Sequence, residues 1–211
     1  MAKDSYIGES EESKVSTISD FSDFAKRALF IHIPKTGGAS MSVAPFILKN
    51  ATPDRPPTTD FHKSLPFRFS FVRDPYDRVA SCILNLGWAN PENFDEFVKN
   101  DLIKYRKIIE KGGRLSTNKG QAKRQQLWTM SEYLFWNGKL EVDFLGRFEN
   151  LKEDWLRVCE MINYKFELPH RNKSNKSAPF TGYNRFYTPE TRKIVGELYS
   201  EDFINFGYSK K

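Results

Sequence analysis

The chain has 211 residues, 39% of them hydrophobic and 15% aromatic, and a formal net charge of +6 from 33 basic and 27 acidic side chains. That composition excludes a disordered chain, and no apolar run approaches the roughly 20 residues of a membrane span. The modest basic excess suits an anionic ligand and falls short of the dense basic runs of a nucleic-acid binder, so no nucleic-acid partner is expected.

The first 24 residues are polar and serine-rich, without the apolar stretch of a signal peptide, and read as a flexible segment ahead of one domain over 25–211. Cys82 and Cys159 lack CxxC spacing and read as buried free thiols, so a soluble, cytoplasmic protein is expected.

The run ALFIHI (28–33) has the apolar, strand-forming character of a buried parallel strand. Residues 38–50 read as a helix that Pro45 kinks or ends, and 51–60 as a proline-rich loop. RFSFV (68–72) is a second strand. The helix from 74 to 86 opens with Asp74 as cap, Pro75 at the first helical position and Asp77 in the first turn.

Residues 92–113 predict one long amphipathic helix or two, stopped by Gly112 and Gly113. The stretch 126–136 fits helix or strand equally. VDFLGRF (142–148) is a third strand; Asn150 and Glu153 have capping-box spacing for a helix through about Ile162. A polar, basic loop spans 169–184, and a last helix starts at Thr188-Pro189. Strands alternating with helices indicate an α/β layer fold with a parallel sheet. Ligands of such sheets bind where strands end and helices begin.

Two turns lie at such places. In HIPKTGGAS (32–40), Gly37 and Gly38 permit a tight bend, Lys35 adds a charge, and Thr36, Ser40 and Ser42 offer hydroxyls. Unpaired backbone N–H groups at a helix start complete an anion cradle. The GxxxxGK[ST] pattern of a Mg-nucleoside triphosphate site is missing, because Leu29 stands where its first glycine would be and Lys35-Thr36 precedes the glycines. In FSFVRDPYDRVAS (69–81), Arg73 ends a strand with a fork suited to phosphate, and Ser81 follows two turns into the helix. Arg78, four residues from Asp74, suits an intrahelical ion pair.

These two segments, followed by VDFLGRFENLKEDW and YTPETRKIVGELYSEDFINFGY, resemble the carbohydrate sulfotransferase superfamily from about Leu29 to Tyr208. The likeness is greatest to small soluble members related to the heparan 2-O- and chondroitin-type enzymes; residues 90–125 carry none of it. The resemblance implies a P-loop-NTPase-like three-layer fold, a central parallel sheet flanked by helices. It implies 3′-phosphoadenosine 5′-phosphosulfate (PAPS) as sulfuryl donor, no metal, and a hydroxyl acceptor, expected to be a sugar or glycan.

Carried onto this chain, Pro34, Lys35, Thr36, Gly37, Gly38, Ala39 and Ser40 would hold the 5′-phosphosulfate, with Lys35 on the bridging oxygen. Arg73 and Ser81 would bind the 3′-phosphate. From the late loop, Arg171 and Ser174 would reach the nucleotide or an anionic acceptor, as would Lys173 and Lys176, and Tyr183 or Phe180 would stack on adenine. Among three histidines, His62 is the preferred base; His170 and Asp60 stand in reserve, as does Glu149, better suited to bracing the fold. His32 suits a packed or hydrogen-bonded structural role. The competing reading is a non-catalytic α/β domain that binds a nucleotide or a polyanion.

Overall fold

The computed structural model describes residues 28–50, 67–111, 125–169 and 182–210. Its main sheet has four strands: β1 (Ala28–Ile31), β2 (Ile47–Asn50), β3 (Phe67–Val72) and, later in the chain, a strand over Phe144–Arg147. The spatial order is β2, β1, β3 and then that last strand, and every neighbouring pair is parallel. Ala28 stands opposite both Ile47 and Phe67, so β1 is paired on both sides.

A strand alternates its side chains between faces. Ala28 and Phe30 therefore join Phe69 and Phe71 on one face, under Met41, Trp155 and Val158. Leu29 and Ile31 join Val72 on the other, under Met130, Leu134 and Phe206. Helices cover both faces, which explains why β1 reads as an unbroken apolar run and gives the three layers.

The helix expected over 38–50 is not formed. One helical turn, α1 (Gly38–Met41), is followed by turns through Pro45, and the chain then enters β2. Pro45 has no N–H to continue a helix, and Ile47 gains the register of Ala28 instead. Phe46 packs on Trp155, ring centroids 5.8 Å apart.

Helix α2 (Pro75–Asn85) starts as expected, the Asp74 carboxylate accepting from the Asp77 N–H. Residues 94–110 are one continuous helical run: α3 (Phe94–Phe97), a π-helical turn over Val98–Leu102, and α4 (Ile103–Glu110). Helix α5 (Met130–Leu134) resolves the ambiguity of 126–136. Thr129 and Glu132 cap it reciprocally, and Phe135 passes into a two-residue strand, β4 (Phe135–Trp136). That strand pairs antiparallel with β5 (Lys139–Leu140) across Asn137 and Gly138, both at positive φ, the turn a short hairpin favours.

The Phe144–Arg147 strand, β6, begins two residues later than expected because Asp143 turns to Arg68. Its carboxylate accepts from the Arg68 N–H at 2.8 Å and from the guanidinium. Helix α6 (Leu151–Met161) follows, and the expected Asn150–Glu153 capping box is absent. Asp154, on the same turn, takes the Arg147 N–H instead. The final helix is two, α7 (Pro189–Leu198) and α8 (Ser200–Phe206); Thr188 and Thr191 form the cap. Cys82 and Cys159 are buried and free. Among the described residues no helix is long and apolar enough to cross a membrane.

Candidate active site

The turn between β1 and α1 is held from three sides. Lys35 and Gly37 both lie in the left-handed region, at φ 71° and 89°. The buried Thr36 hydroxyl donates to the Ile33 carbonyl at 2.8 Å, so it closes the turn and is committed inward. Arg78 donates from Nε to the Pro34 carbonyl at 3.2 Å. Gly38 lies against the His32 ring, where no side chain fits; this gives His32 the packing role expected of it. Ala39 is exposed and Ser40 half-buried on α1. With one turn only, α1 brings little dipole, and the positive character of this site rests on side chains.

Arg73 ends β3, 3% exposed. Its Nη1 donates to the Lys35 carbonyl at 3.2 Å, which ties the two turns together. Its Nη2 lies 3.8 Å from an Asp77 carboxylate oxygen. The guanidinium carbon sits 4.2 Å from the Phe148 ring centre and 5.4 Å from that of Tyr183, so aromatic rings hold the fork. Burial lowers the Arg73 pKa, with the Asp77 charge opposing. Burial likewise holds the Lys35 ammonium below its ordinary value; Cys82 opposes, and the Arg73 charge pushes further down.

Glu149 braces the second turn, as expected. One carboxylate oxygen accepts from the Asp74 N–H at 2.7 Å and the other from the Tyr208 hydroxyl at 2.9 Å. Arg147 lies over the Tyr208 ring, 4.6 Å from its centre.

Arg78 does not pair with Asp74. It is fully buried and donates to three carbonyls, those of Pro34, Trp128 (2.8 Å) and Gln126 (3.3 Å). The i,i+4 spacing suggested an intrahelical ion pair, but this face of α2 turns inward beneath the first turn. Ser81 lies one turn beyond Asp77, 3% exposed; Asn85 donates to its carbonyl at 2.8 Å.

The structure thus brings Lys35, Arg73 and Tyr183 together. Phe148 and Asp77 join them, with roles that sequence reading missed. An aromatic residue directly after a strand end, in RFEN, was the one available signal for Phe148. His62, Arg171 and Ser174 lie outside the described residues, as do Asp60, His170, Lys173, Lys176 and Phe180. Among the described residues no group of three or more His, Cys, Asp or Glu side chains has the arrangement of a metal site.

Two cationic side chains thus stand at neighbouring strand ends of a parallel α/β sheet, the place where ligands of such sheets bind. The chain belongs to the sulfotransferase family, whose pattern it matches over residues 23–209. No curated protein and no solved structure matches it. Family membership makes it an enzyme of sulfuryl transfer, a reaction that needs a sulfonate donor and an acceptor.

Proposed function

We propose that the protein transfers a sulfuryl group from PAPS to a hydroxyl, that of a sugar or glycan. One observation carries the donor assignment: two like-charged groups, Lys35 and Arg73, are drawn out of water and tied together by the bond from Arg73 Nη1 to the Lys35 carbonyl. Burial lowers the proton affinity of both, the Arg73 charge lowers that of Lys35 further, and a bound anion would restore it, so the side chains present fit a donor with two separated anionic groups. The carbohydrate acceptor is supported by the resemblance alone.

In this reading the 34–40 turn receives the 5′-phosphosulfate. The S–O bond to the 5′-phosphate breaks as the acceptor oxygen bonds to sulfur, and Lys35 neutralises the charge left on the departing phosphate. Arg73 and Ser81 take the 3′-phosphate, and Tyr183 supports the adenine side. The acceptor proton passes to a base, for which His62 remains our choice. Positioning and fixed charge supply the rate, as in phosphoryl transfer.

The test has two stages. A thermal shift with 3′-phosphoadenosine 5′-phosphate should exceed that with ADP, since stabilisation follows binding to the native state. Turnover of labelled PAPS against a panel of glycans and small hydroxyl compounds then separates an enzyme of this type from a mere binder. Equal shifts with both nucleotides, or no transfer to any hydroxyl, would overturn the assignment.

A further inference from the structure

Asp77 stands in an unfavourable place. Its carboxylate is 14% exposed and lies 3.8 Å from Arg73 Nη2, too far for a hydrogen bond. Its Oδ1 is buried and accepts no hydrogen bond among the described residues. Two further carboxylates face it, Asp74 from the start of α2 and Glu149 from the segment after β6. Arg73 and the Tyr183 backbone amide favour its charged form, and the Tyr187 hydroxyl lies within its field. A structural ion pair gains from close contact and full hydrogen bonding, and this carboxylate has neither. It occupies an edge of the arginine fork that a phosphate would use.

We propose that Asp77 is a displaceable counter-ion for Arg73, so that a nucleotide 3′-phosphate bound there drives a proton from solvent onto the Asp77 carboxylate. The inference rests on the donor-site reading above. It adds a regulated element: Asp77 balances the charge of Arg73 before the donor binds, and a dianion then replaces Asp77. Burial already raises the Asp77 pKa, with Arg73 opposing and Asp74 and Glu149 adding to it. A second anion beside it raises that pKa further. Uptake then occurs between the free and bound values, and affinity falls as pH rises through that window.

The experiment is calorimetric titration of wild type and Asp77→Asn with 3′-phosphoadenosine 5′-phosphate and with ADP, in buffers of different ionisation enthalpy. At about pH 8 both ligands are fully ionised, their second phosphate pKa being about 6. Proton uptake by Lys35 is common to both nucleotides and cancels in the comparison. The wild type should take up more protons with the 3′-phosphorylated ligand than with ADP, and Asp77→Asn should abolish the difference. The variant should also bind that ligand about 3- to 10-fold more tightly, the scale of one carboxylate repulsion removed at a screened site, and bind ADP as before.

Asp77→Ala, which also removes the charge, should behave as Asp77→Asn does; the wild-type comparison stands even if neither variant folds. Equal proton uptake with both nucleotides, or weaker binding of the 3′-phosphorylated ligand by a folded Asp77→Asn, would overturn the role of Asp77 and leave the donor site intact. Failure of either nucleotide to bind wild type would overturn both.

Discussion

A methyl group on Gly38 would overlap Cδ2 and Nε2 of the His32 ring. The glycine that opens α1 is therefore required by a ring at the end of β1, in addition to any need for a ligand to approach. Gly38→Ala should destabilise the protein by about 1–3 kcal/mol, the cost of overpacking. Adding His32→Ala should recover much of that loss. A double-mutant cycle in chemical denaturation checks it; additive losses would show that the contact is not the cause.

Arg73→Ala should weaken 3′-phosphoadenosine 5′-phosphate by about 2–4 kcal/mol, the loss of a charge-assisted phosphate contact. ADP, lacking the 3′-phosphate, should bind nearly as before. Because Arg73 also bridges to the Lys35 carbonyl, the melting temperature must be read alongside affinity. Equal losses for both nucleotides would make Arg73 a brace of the turns only.

Lys35→Ala should slow every reaction of the donor, including its hydrolysis by water. His62→Ala should spare donor affinity and lower acceptor turnover by about 10²–10⁴-fold, the range of a general base. The two residues also separate by pH. Lys35 acts protonated, and its pKa lies below the ordinary lysine value, so activity is present below that pKa and declines as pH rises through it. His62 acts deprotonated, so its limb is on the acid side. A wild-type profile with no alkaline decline below the ordinary lysine range would contradict the Lys35 assignment.

Arg78→Met removes the donor from three buried carbonyls, those of Pro34, Gln126 and Trp128. Destabilisation of about 2–4 kcal/mol is expected, from unsatisfied acceptors and lost packing. Arg78→Lys should rescue little, since one ammonium cannot span acceptors arranged for a planar fork. Urea unfolding of both variants tests this, and a fully stable Arg78→Lys would refute it.

Strands β1 and β3 were legible as apolar runs that the fold buries on two faces, and β6 from the apolar start of VDFLGRF, although its side chains are mostly half-buried. Strand β2 was not: Ala39, Met41 and Ala44 favour a helix locally, and only the pairing of Ile47 with Ala28 makes the segment after Pro45 extended. Both strand-to-helix turns could be read from a strand end followed by helix-start chemistry. Their partners could not. Phe148 meets Arg73 across 75 positions, and no local spacing encodes that contact. Arg78 misled because an acid four residues away is a strong local signal, while burial is decided by the whole fold. The expected base and late-loop contacts, His62, Arg171 and Ser174, belong to segments outside the described residues.

The Glu149 bridge has a consequence for the order in which the protein is made. Asp74 leaves the ribosome 75 positions ahead of Glu149, and Tyr208 follows after another 59. At about 5–20 residues per second, the arginine turn waits roughly 4–15 seconds for its first brace. Through that interval β3 also lacks β6, its neighbour on one side, and α6, whose Trp155 and Val158 cover Phe69 and Phe71. The nascent chain is thus open to aggregation beside the turn proposed to take the donor's 3′-phosphate, and that is where a chaperone would have to hold it until the last helices arrive.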